Sequence, residues 1–397
     1  MSDPFGQIGQ FLMDLLTGWG LAPDGAGLLL KLVGAAAMGT LALLSTFGFI
    51  WGERKLLARI QIRLGPNRTG PYGMFQTIAD FAKLVTKELI LPSGADRLVF
   101  LLAPMLVVMS AVAVWAVVPL APRLIGTDLN VALLYIVAVG GVGILGIMLA
   151  GWSSNNKYAL LGAFRAAAQL VSYEVPMVLT MLVPTMLAGS MGTVAIVEAQ
   201  RPVPFLILAP VPALIFFISS LAENGRAPFD LLEAESEIAT GFNIEYSGLM
   251  FGMFFVAEFL HAFTVSALTT TLFLGGWLGP GVDQYPILGI FYFFAKSLVI
   301  WFVVIWVRMS LPRVRIDQML AFNWKFLTPL GLAVVAVFAI ADKLAPAGLL
   351  GRVVVLLAAN ALLAAGTILG LWATARRQRK VASRSISGAL PMRASES

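Results

Sequence analysis

Residues 32–52 read LVGAAAMGTLALLSTFGFIWG, a run of 21 residues without a charged side chain that lies between Lys31 and Glu53. A helix needs about 20 mainly apolar residues to cross the hydrocarbon core of a bilayer, because every backbone amide there must find its partner within the chain. The stretch therefore predicts a membrane-spanning helix near the start of the chain.

Comparable stretches recur to the end of the chain. The composition agrees with them, because the 397 residues are 59% hydrophobic and only 12% charged, whereas soluble domains are roughly 25% charged. We predict an all-α polytopic membrane protein with about eight or nine transmembrane helices. After the first, the predicted spans are 98–122, 129–156, 175–197, 202–222, 247–274, 285–307, 326–340 and 353–375.

The positions of the basic residues predict the orientation. With the N-terminus outside, 21 of the 27 Lys and Arg residues fall on cytoplasmic loops and the tail, as the positive-inside rule requires. We expect a bacterial cell inner membrane protein with a periplasmic N-terminus. The expected divisions are an N-terminal extracytoplasmic segment (1–27), a membrane domain (28–345), an additional transmembrane helix (346–375) and a basic cytoplasmic tail (376–397).

The chain has no cysteine and a single histidine, His261. Thiolate-bound iron–sulfur clusters, disulfides and haem held by paired histidines therefore have no side chains to bind them. We predict that the chain holds no metal, haem or iron–sulfur cluster, and that any electron-carrying centre lies in a partner. His261 itself is interpreted as a residue that packs in the core or supports a neighbouring functional side chain.

The first loop combines basic residues with a rigid backbone. An anchor that contacts anionic lipid is one interpretation, but Gly-Pro steps at 65–66 and 70–71 rigidify the chain in a way that such an anchor does not require. The bases near the membrane edge are Arg54, Lys55, Arg59, Arg63 and Arg68.

An amphipathic helix is predicted after these bases. Apolar residues recur every three or four positions from Phe75 to Leu89, while Asp80, Lys83 and Lys87 share the opposite face. Such a helix lies along the membrane interface. It would either rest on the membrane or bound a lateral opening for a long-tailed ligand.

Three acids, Glu174, Glu223 and Glu258, lie within or at the ends of predicted spans. A charge at the membrane centre costs roughly 2.5 to 3.5 kcal/mol on insertion scales, so such acids tend to face a wet cavity or a partner and to carry ions or protons. The alternative is a structural pair, Glu174 with Arg165 or Glu258 with His261. Three acids in neighbouring spans favour a chain of proton carriers.

A proline follows the first of these acids. Arg165, Gln169, Tyr173 and Glu174 form a polar stripe at helical spacing, and Pro176 comes two residues later. Proline disfavours a straight helix and frees a backbone carbonyl. We therefore expect a helix that is not straight, with a free backbone carbonyl, near Glu174.

The loop from Glu223 to Tyr246 is strongly acidic on the side where the other loops are basic. A charge run is usually a solvated face, but Pro, Phe, Leu and Tyr residues are interleaved with these acids, so the loop can also pack. Attraction to the basic first loop is expected. Against the single base Arg226, its acids are Glu223, Asp230, Glu233, Glu235, Glu237 and Glu245.

These stretches resemble the H-subunit family of respiratory complex I, the quinone-site membrane subunits of proton-translocating NADH:quinone oxidoreductase. The resemblance covers about residues 28 to 340; the extended N-terminus and the last span with its tail depart from the pattern. The motifs that carry it are ERKLLARIQ at 53–61, GPNRTGP at 65–71, the segment from Asp80 to Glu88, the loop from Glu223 to Tyr246, and RMSLPRVRIDQ at 308–318.

The resemblance implies a role in quinone reduction. The chain would form much of a ubiquinone chamber, with quinone entering between the first span, the amphipathic helix and the sixth span, and would have no catalytic residue in the classical sense. The implied proton path is Asp80, Glu174, Glu223 and Glu258. The implied chamber and coupling-loop residues are Glu53, Arg54, Arg59, Arg63, Arg226, Phe229, Asp230, Glu233, Glu235 and Glu237.

Implied partners are the other membrane and peripheral-arm subunits of complex I, together with the lipid bilayer but no nucleic acid. They include the iron–sulfur subunit next to the quinone site and the small membrane subunits on the antiporter side. Three other functions fit parts of the sequence. The chain could be the homologous membrane subunit of a hydrogenase-type complex, a stand-alone ion transporter, or an anchor for a soluble enzyme. A transporter of this kind would show internal repeats, and the halves share no matching motif; an anchor leaves the buried acids unexplained.

Overall fold

The computed structural model describes residues 4–19, 22–231, 241–346 and 348–388. Regular structure in these ranges is helical apart from one isolated β-bridge between Ala121 and Leu124. In chain order the α-helices are α1 (Pro4–Gly18), α2 (Pro23–Ile60), α3 (Gln76–Thr86), α4 (Arg97–Ala113), α5 (Ala132–Ser153), α6 (Lys157–Ala188), α7 (Thr193–Ala199), α8 (Phe205–Leu208), α9 (Pro210–Glu223), α10 (Gly248–Phe273), α11 (Ile287–Ser310), α12 (Ile316–Phe322), α13 (Thr328–Leu344) and α14 (Leu349–Gly388).

Eight helical segments among the described residues are long and apolar enough to cross a membrane. They are α2, α4 with the turn that follows it, α5, α6, α10, α11, the run from α12 to α13, and α14. The predicted all-α, multi-pass membrane protein is therefore confirmed. The predicted amphipathic helix is α3, with Ile78 and Val85 exposed and Thr77 buried.

The predicted fourth span, 175–197, is wrong at both ends. α6 begins at Lys157 and ends at Ala188, where Gly189 adopts a left-handed φ of 68°. The polar stripe and the apolar run after it belong to one helix, because α6 continues through Pro176 and Pro184.

The predicted fifth span is broken. α8 ends at Leu208 and α9 begins at Pro210; at 14 residues, α9 is about 21 Å long and shorter than the ~30 Å hydrocarbon core. The carbonyl of Leu208 cannot be satisfied by Pro212, four residues on, because proline has no N–H. Asn360 of α14 donates to that carbonyl at 2.6 Å and accepts from the N–H of Val211 at 3.3 Å. The last helix thus satisfies backbone groups at the break.

The centre of the bundle is formed by α6 and α10. Every residue of α10 from Ala262 to Phe273 is buried, and small residues let neighbouring helices approach closely. At Gly146 of α5, for example, a Cβ atom would lie only 2.6 Å from a methyl carbon of Val107 in α4. By contrast, α14 lies at the periphery, and it continues to Gly388, past the expected boundary at residue 375.

Candidate functional site

Two acids and two arginines meet between α2, α10, α11 and the turn after α9; one acid, Glu53, is buried and the other, Glu258, is 25% exposed. Glu53, near the end of α2, is 4% exposed and accepts hydrogen bonds from Arg226 at 2.5 Å and from Arg308 of α11. The Nε atom of Arg226 lies 3.4 Å from Oε1 of Glu258 in α10. We call these four residues the ion cluster. The ion cluster pairs two acids with two bases, and Asp230 is a further acid that acts on Glu258. Pairing matters because removing ions from water costs several kcal/mol for each one.

The turn after α9 places Arg226 in the cluster. Gly225 adopts a left-handed φ of 64°, a conformation that suits glycine. Gln169 of α6 then donates to the carbonyls of Ala222 at 2.7 Å and Phe229 at 2.8 Å. The buried amide therefore fixes both ends of the turn that carries the arginine.

A cavity of about 1020 Å³ lies beside the ion cluster, and we call it the outer chamber. Its walls come from the end of α2, the first loop, α3, α10 and Arg308. On one wall, Nη1 of Arg54 lies 2.5 Å from the carboxylate of Asp80. Ligand sites in proteins typically enclose about 300–1,000 Å³. The charged residues that line the chamber are Glu53, Arg54, Arg63, Arg68, Asp80, Lys83, Glu258 and Arg308.

An apolar cavity of about 160 Å³ adjoins the outer chamber, and we call it the side cavity. It lies between α2, α3 and α10, and its lining includes Phe47 and Phe81. Arg54, Asp80 and Phe255 border both spaces. The side cavity therefore lies between the three elements that the sequence suggested for a lateral opening.

A third space of about 100 Å³, the inner cavity, lies deeper in the bundle. Glu223, Asp230, Glu258, His261 and Arg308 all line it. Glu258 and Arg308 also line the outer chamber, so these two residues stand between the two spaces. A cavity of this size with charged groups in its lining has room for water.

The acids predicted from the sequence can be ordered by the spaces that they line and by their electrostatic interactions. Glu174 does not line the inner cavity, but its charge interacts with that of Glu223. Glu258, on the side of the outer chamber, interacts with Glu53 and with the arginines of the ion cluster. The order from the chamber inward is thus Glu258, Glu223 and Glu174, whereas Asp80 lies on the wall of the outer chamber.

The alternative pair of Glu258 with His261 is not formed. Glu258 lies against Arg226 instead, and Nδ1 of His261 has no hydrogen-bond partner among the described residues. His261 lines the inner cavity, so it borders the same space as Glu223 and Glu258.

The predicted chamber residues are not all brought together. Glu53, Arg54 and Arg63 line the outer chamber. Arg59 is exposed and does not belong to the lining of the cavities described above. Phe229 is buried, with its ring 5.3 Å from that of Tyr173. Glu233, Glu235 and Glu237 lie outside the described residues.

The end of the acidic loop that precedes α10, residues 241–246, packs into the molecule. Glu245 accepts a hydrogen bond from Asn156 at 2.7 Å. The hydroxyl of Tyr246 donates to the carbonyl of Phe100 at 3.2 Å, and burial raises the pKa of Tyr246 to about 12. This end of the loop is therefore packed as well as charged.

Sequence reasoning missed two residues. Arg308 reaches both the outer chamber and the inner cavity; its only signal was its place as the first base of the motif at 308–318. Asn323 is fully buried in a π-turn between α12 and α13, and its Nδ2 donates to the carbonyl of Ser172 in α6. Pro176 signalled that this carbonyl would be free, but it did not indicate the partner.

No group of three His, Cys, Asp or Glu side chains suited to a metal ion occurs in the part of the chain that the structure describes. The site consists of ion pairs, aromatic walls and neighbouring cavities that share lining residues. Such an arrangement can bind a polar head group, shelter an apolar tail and hold protons on carboxylates.

Comparison with known proteins identifies the family. Residues 33–339 match the family model described as NADH dehydrogenase. The chain is 50% identical over 304 residues to the H subunit of NADH-quinone oxidoreductase from Dehalococcoides mccartyi (strain CBDB1), and the match covers 77% of this chain and 84% of that protein. It is 46% identical over 293 residues to the H subunit of the same enzyme from Rhodospirillum centenum, covering 73% and 87% of the two chains.

A third relative, one of the H subunits of NADH-quinone oxidoreductase from Syntrophobacter fumaroxidans, is 44% identical over 316 residues, or 77% of this chain and 94% of that protein. Family match, identity and coverage agree with the multi-pass fold described above. The chain belongs to the NADH dehydrogenase family and, within it, to the H subunits, which are membrane components of complex I.

Proposed function

We propose that the chain forms much of the ubiquinone-binding chamber of a proton-translocating NADH:quinone oxidoreductase and couples quinone reduction to proton movement. One observation carries this proposal: the outer chamber and the inner cavity share Glu258 and Arg308. A ligand in the chamber is therefore in contact with residues that also line the space holding Glu223. The names of the relatives support quinone rather than hydrogen chemistry.

The two outer spaces suit the two parts of a quinone. The apolar side cavity would admit the isoprenoid tail from the bilayer, and the charged outer chamber would receive the head group. Arg54 and Arg63 are the candidate donors on the chamber wall, because guanidinium groups bind oxygen acceptors strongly. Electrons would come from an iron–sulfur cluster in a peripheral-arm partner.

The acids would transmit the proton demand of quinone reduction away from the chamber. Reduction of a quinone to a quinol takes up two electrons and two protons, so charge and proton demand arise in the chamber. Asp80 and Glu258 would respond first, because both line it. Glu223 and then Glu174 would carry the response towards small membrane partners on the antiporter side, since their charges interact.

The setting follows the distribution of basic residues. We propose a bacterial inner membrane, with the chamber on the cytoplasmic side and the N-terminus in the periplasm. The membrane domain at 28–345 would hold the chamber, and 346–375 would add a peripheral span before the basic tail.

The first test is Glu223→Gln in the assembled complex. We expect NADH:ubiquinone reductase turnover and proton pumping in vesicles to fall together by at least tenfold, because the amide keeps the shape but cannot carry the proton. NADH oxidation by a hydrophilic acceptor at the peripheral arm would report intact assembly. Glu198→Gln, which changes an exposed glutamate 3.9 Å from Arg201, is the matched control and should retain activity. Normal turnover and pumping in Glu223→Gln would refute the path.

A further inference from the structure

α6 has a gap in its hydrogen bonding just before Glu174. In an α-helix the carbonyl of residue 172 accepts from the N–H of residue 176, and Pro176 has no N–H. Ser172 is only 5% exposed, and a buried carbonyl without a partner costs about 1–3 kcal/mol. The helix can therefore pass through Pro176 only if another group donates to Ser172.

Asn323 is that donor. Its side chain is fully buried between α12 and α13, and its Nδ2 donates to the carbonyl of Ser172 in α6. It stands at the first position of the π-turn Asn323–Leu327, a type of turn that is frequent at functional sites. The π-turn is thus the element that presents the amide to α6.

Two neighbouring bonds fasten the same turn of α6. Nε1 of Trp324 donates to Oγ of Ser172 at 3.2 Å. The hydroxyl of Tyr173 donates to the carbonyl of Met319 at 3.2 Å. One turn of α6 is therefore bound to the α12–α13 run at three points, immediately before the acid at position 174.

We propose that Asn323 is a positioning residue for proton transfer: it holds the carbonyl freed by Pro176 and thereby fixes the place of Glu174 in α6. Glu174 is two residues, or about 3 Å of helix rise, from the held carbonyl. Glu174 lies inside the segment 172–176, where the proline removes a helical hydrogen bond, so a change in the bend of α6 there would move its carboxylate. This inference deepens the proposed function and depends on it.

The test is a double-mutant cycle in the assembled, membrane-bound complex. Asn323→Leu keeps the size of the side chain and removes the donor. We expect quinone reductase turnover and the number of protons pumped per electron to fall at least fivefold, while NADH oxidation by a hydrophilic acceptor is retained. Pro176→Ala restores the N–H within the helix, so Asn323→Leu should change turnover less than twofold in that background.

The pH profile separates positioning from a purely structural role. If Asn323 sets the distance between Glu174 and Glu223, Asn323→Leu should shift the pH dependence of turnover, because that distance determines how strongly the carboxylates affect each other. An equal loss at every pH, or a loss that persists in the Pro176→Ala background, overturns the proposal.

Glu174→Gln separates failure of the proton path from failure of the positioning role of Asn323. If Glu174→Gln is impaired and Asn323→Leu is normal, the path stands and the role of Asn323 is wrong. If Glu174→Gln is itself normal, Glu174 is not on the path and the positioning proposal falls with it.

Discussion

Arg226 contacts two carboxylates at once, at 2.5 Å from Glu53 and 3.4 Å from Glu258, and its guanidinium lies over the ring of Phe259 at 4.7 Å from the ring centre. A planar guanidinium suits this task, because it can donate in several directions while one face stacks on an aromatic ring. Lysine would offer a single point charge. The identity of the residue, and not only its charge, is therefore important here.

Replacing Arg226 with Met should destabilise the protein strongly. Glu258 would lose its nearest cation, and breaking a buried pair by removing one partner costs roughly 3–5 kcal/mol. We expect a lower midpoint of thermal inactivation for the purified complex, together with loss of quinone reductase activity. Arg201→Met is the control: its pair with Asp283, at 2.9 Å, is half-exposed and should contribute only about 0.2–1 kcal/mol. Equal effects of the two changes would contradict this assignment.

At the scale of single elements, α14 supports a helix that cannot satisfy its own backbone. Asn360 is 4% exposed and bonds across the break between α8 and α9. The matched family region ends at residue 339, so this support comes from a helix outside it. α9 begins at the break that Asn360 bridges and ends at Glu223. The contact with α14 and the acid therefore lie at opposite ends of the same short helix.

Asn360→Leu should loosen this contact. The carbonyl of Leu208 and the N–H of Val211 would lose their partners, at a cost of about 1–3 kcal/mol. We expect faster proteolysis near residues 345–349 and a lower thermal stability of the complex. Thr367→Val is the control on the same helix, because Thr367 bonds only its own backbone at Ala364 among the described contacts. Unchanged proteolysis in Asn360→Leu would show that other contacts hold α14, among them those of Arg352 with Asp342 and with the carbonyl of Leu187.

Transmembrane helices could be predicted where the chain has a long run of uncharged, apolar residues. Long uncharged runs gave the transmembrane helices because lipid permits few alternatives to a helix. The passage of α6 through Pro176 and the break before α9 were not predictable. Both involve backbone carbonyls, of Ser172 and Leu208, that a following proline leaves without an N–H partner and that Asn323 and Asn360 satisfy. Those partners lie 151 and 152 residues away along the chain, and no local pattern connects them.

For the molecule as a whole, the side cavity and the outer chamber share part of their lining. A quinone would enter through the first and place its head group in the second. Val256→Phe should fill much of the side cavity, whose lining includes Val256. We expect the KM for a quinone with ten isoprene units to rise several-fold, and the KM for a one-isoprene analogue to change less. Leu249→Phe, at a more exposed position of the same helix, is the control. Equal effects on both quinones would place the entry elsewhere.

The candidate site was predictable in its residues more than in its geometry. An acid in a membrane span and a base beside it indicate a polar site, so Glu53, Arg54, Glu223 and Glu258 could be named. Which of them pair could not be, because the pairing arises where ends of distant helices meet. Arg308 is 255 residues from Glu53 along the chain, and only the packed bundle makes them neighbours.

The paired acids and arginines of the ion cluster would allow a signal to pass by exchange of partners. An anion that enters the outer chamber competes with Glu53 and Glu258 for Arg226 and Arg308. An acid that loses its cation in an apolar interior takes up a proton, and Glu258 faces the inner cavity as well as the chamber. Negative charge on one side would thus be converted into proton uptake on the other by rotations of side chains, without displacement of a helix.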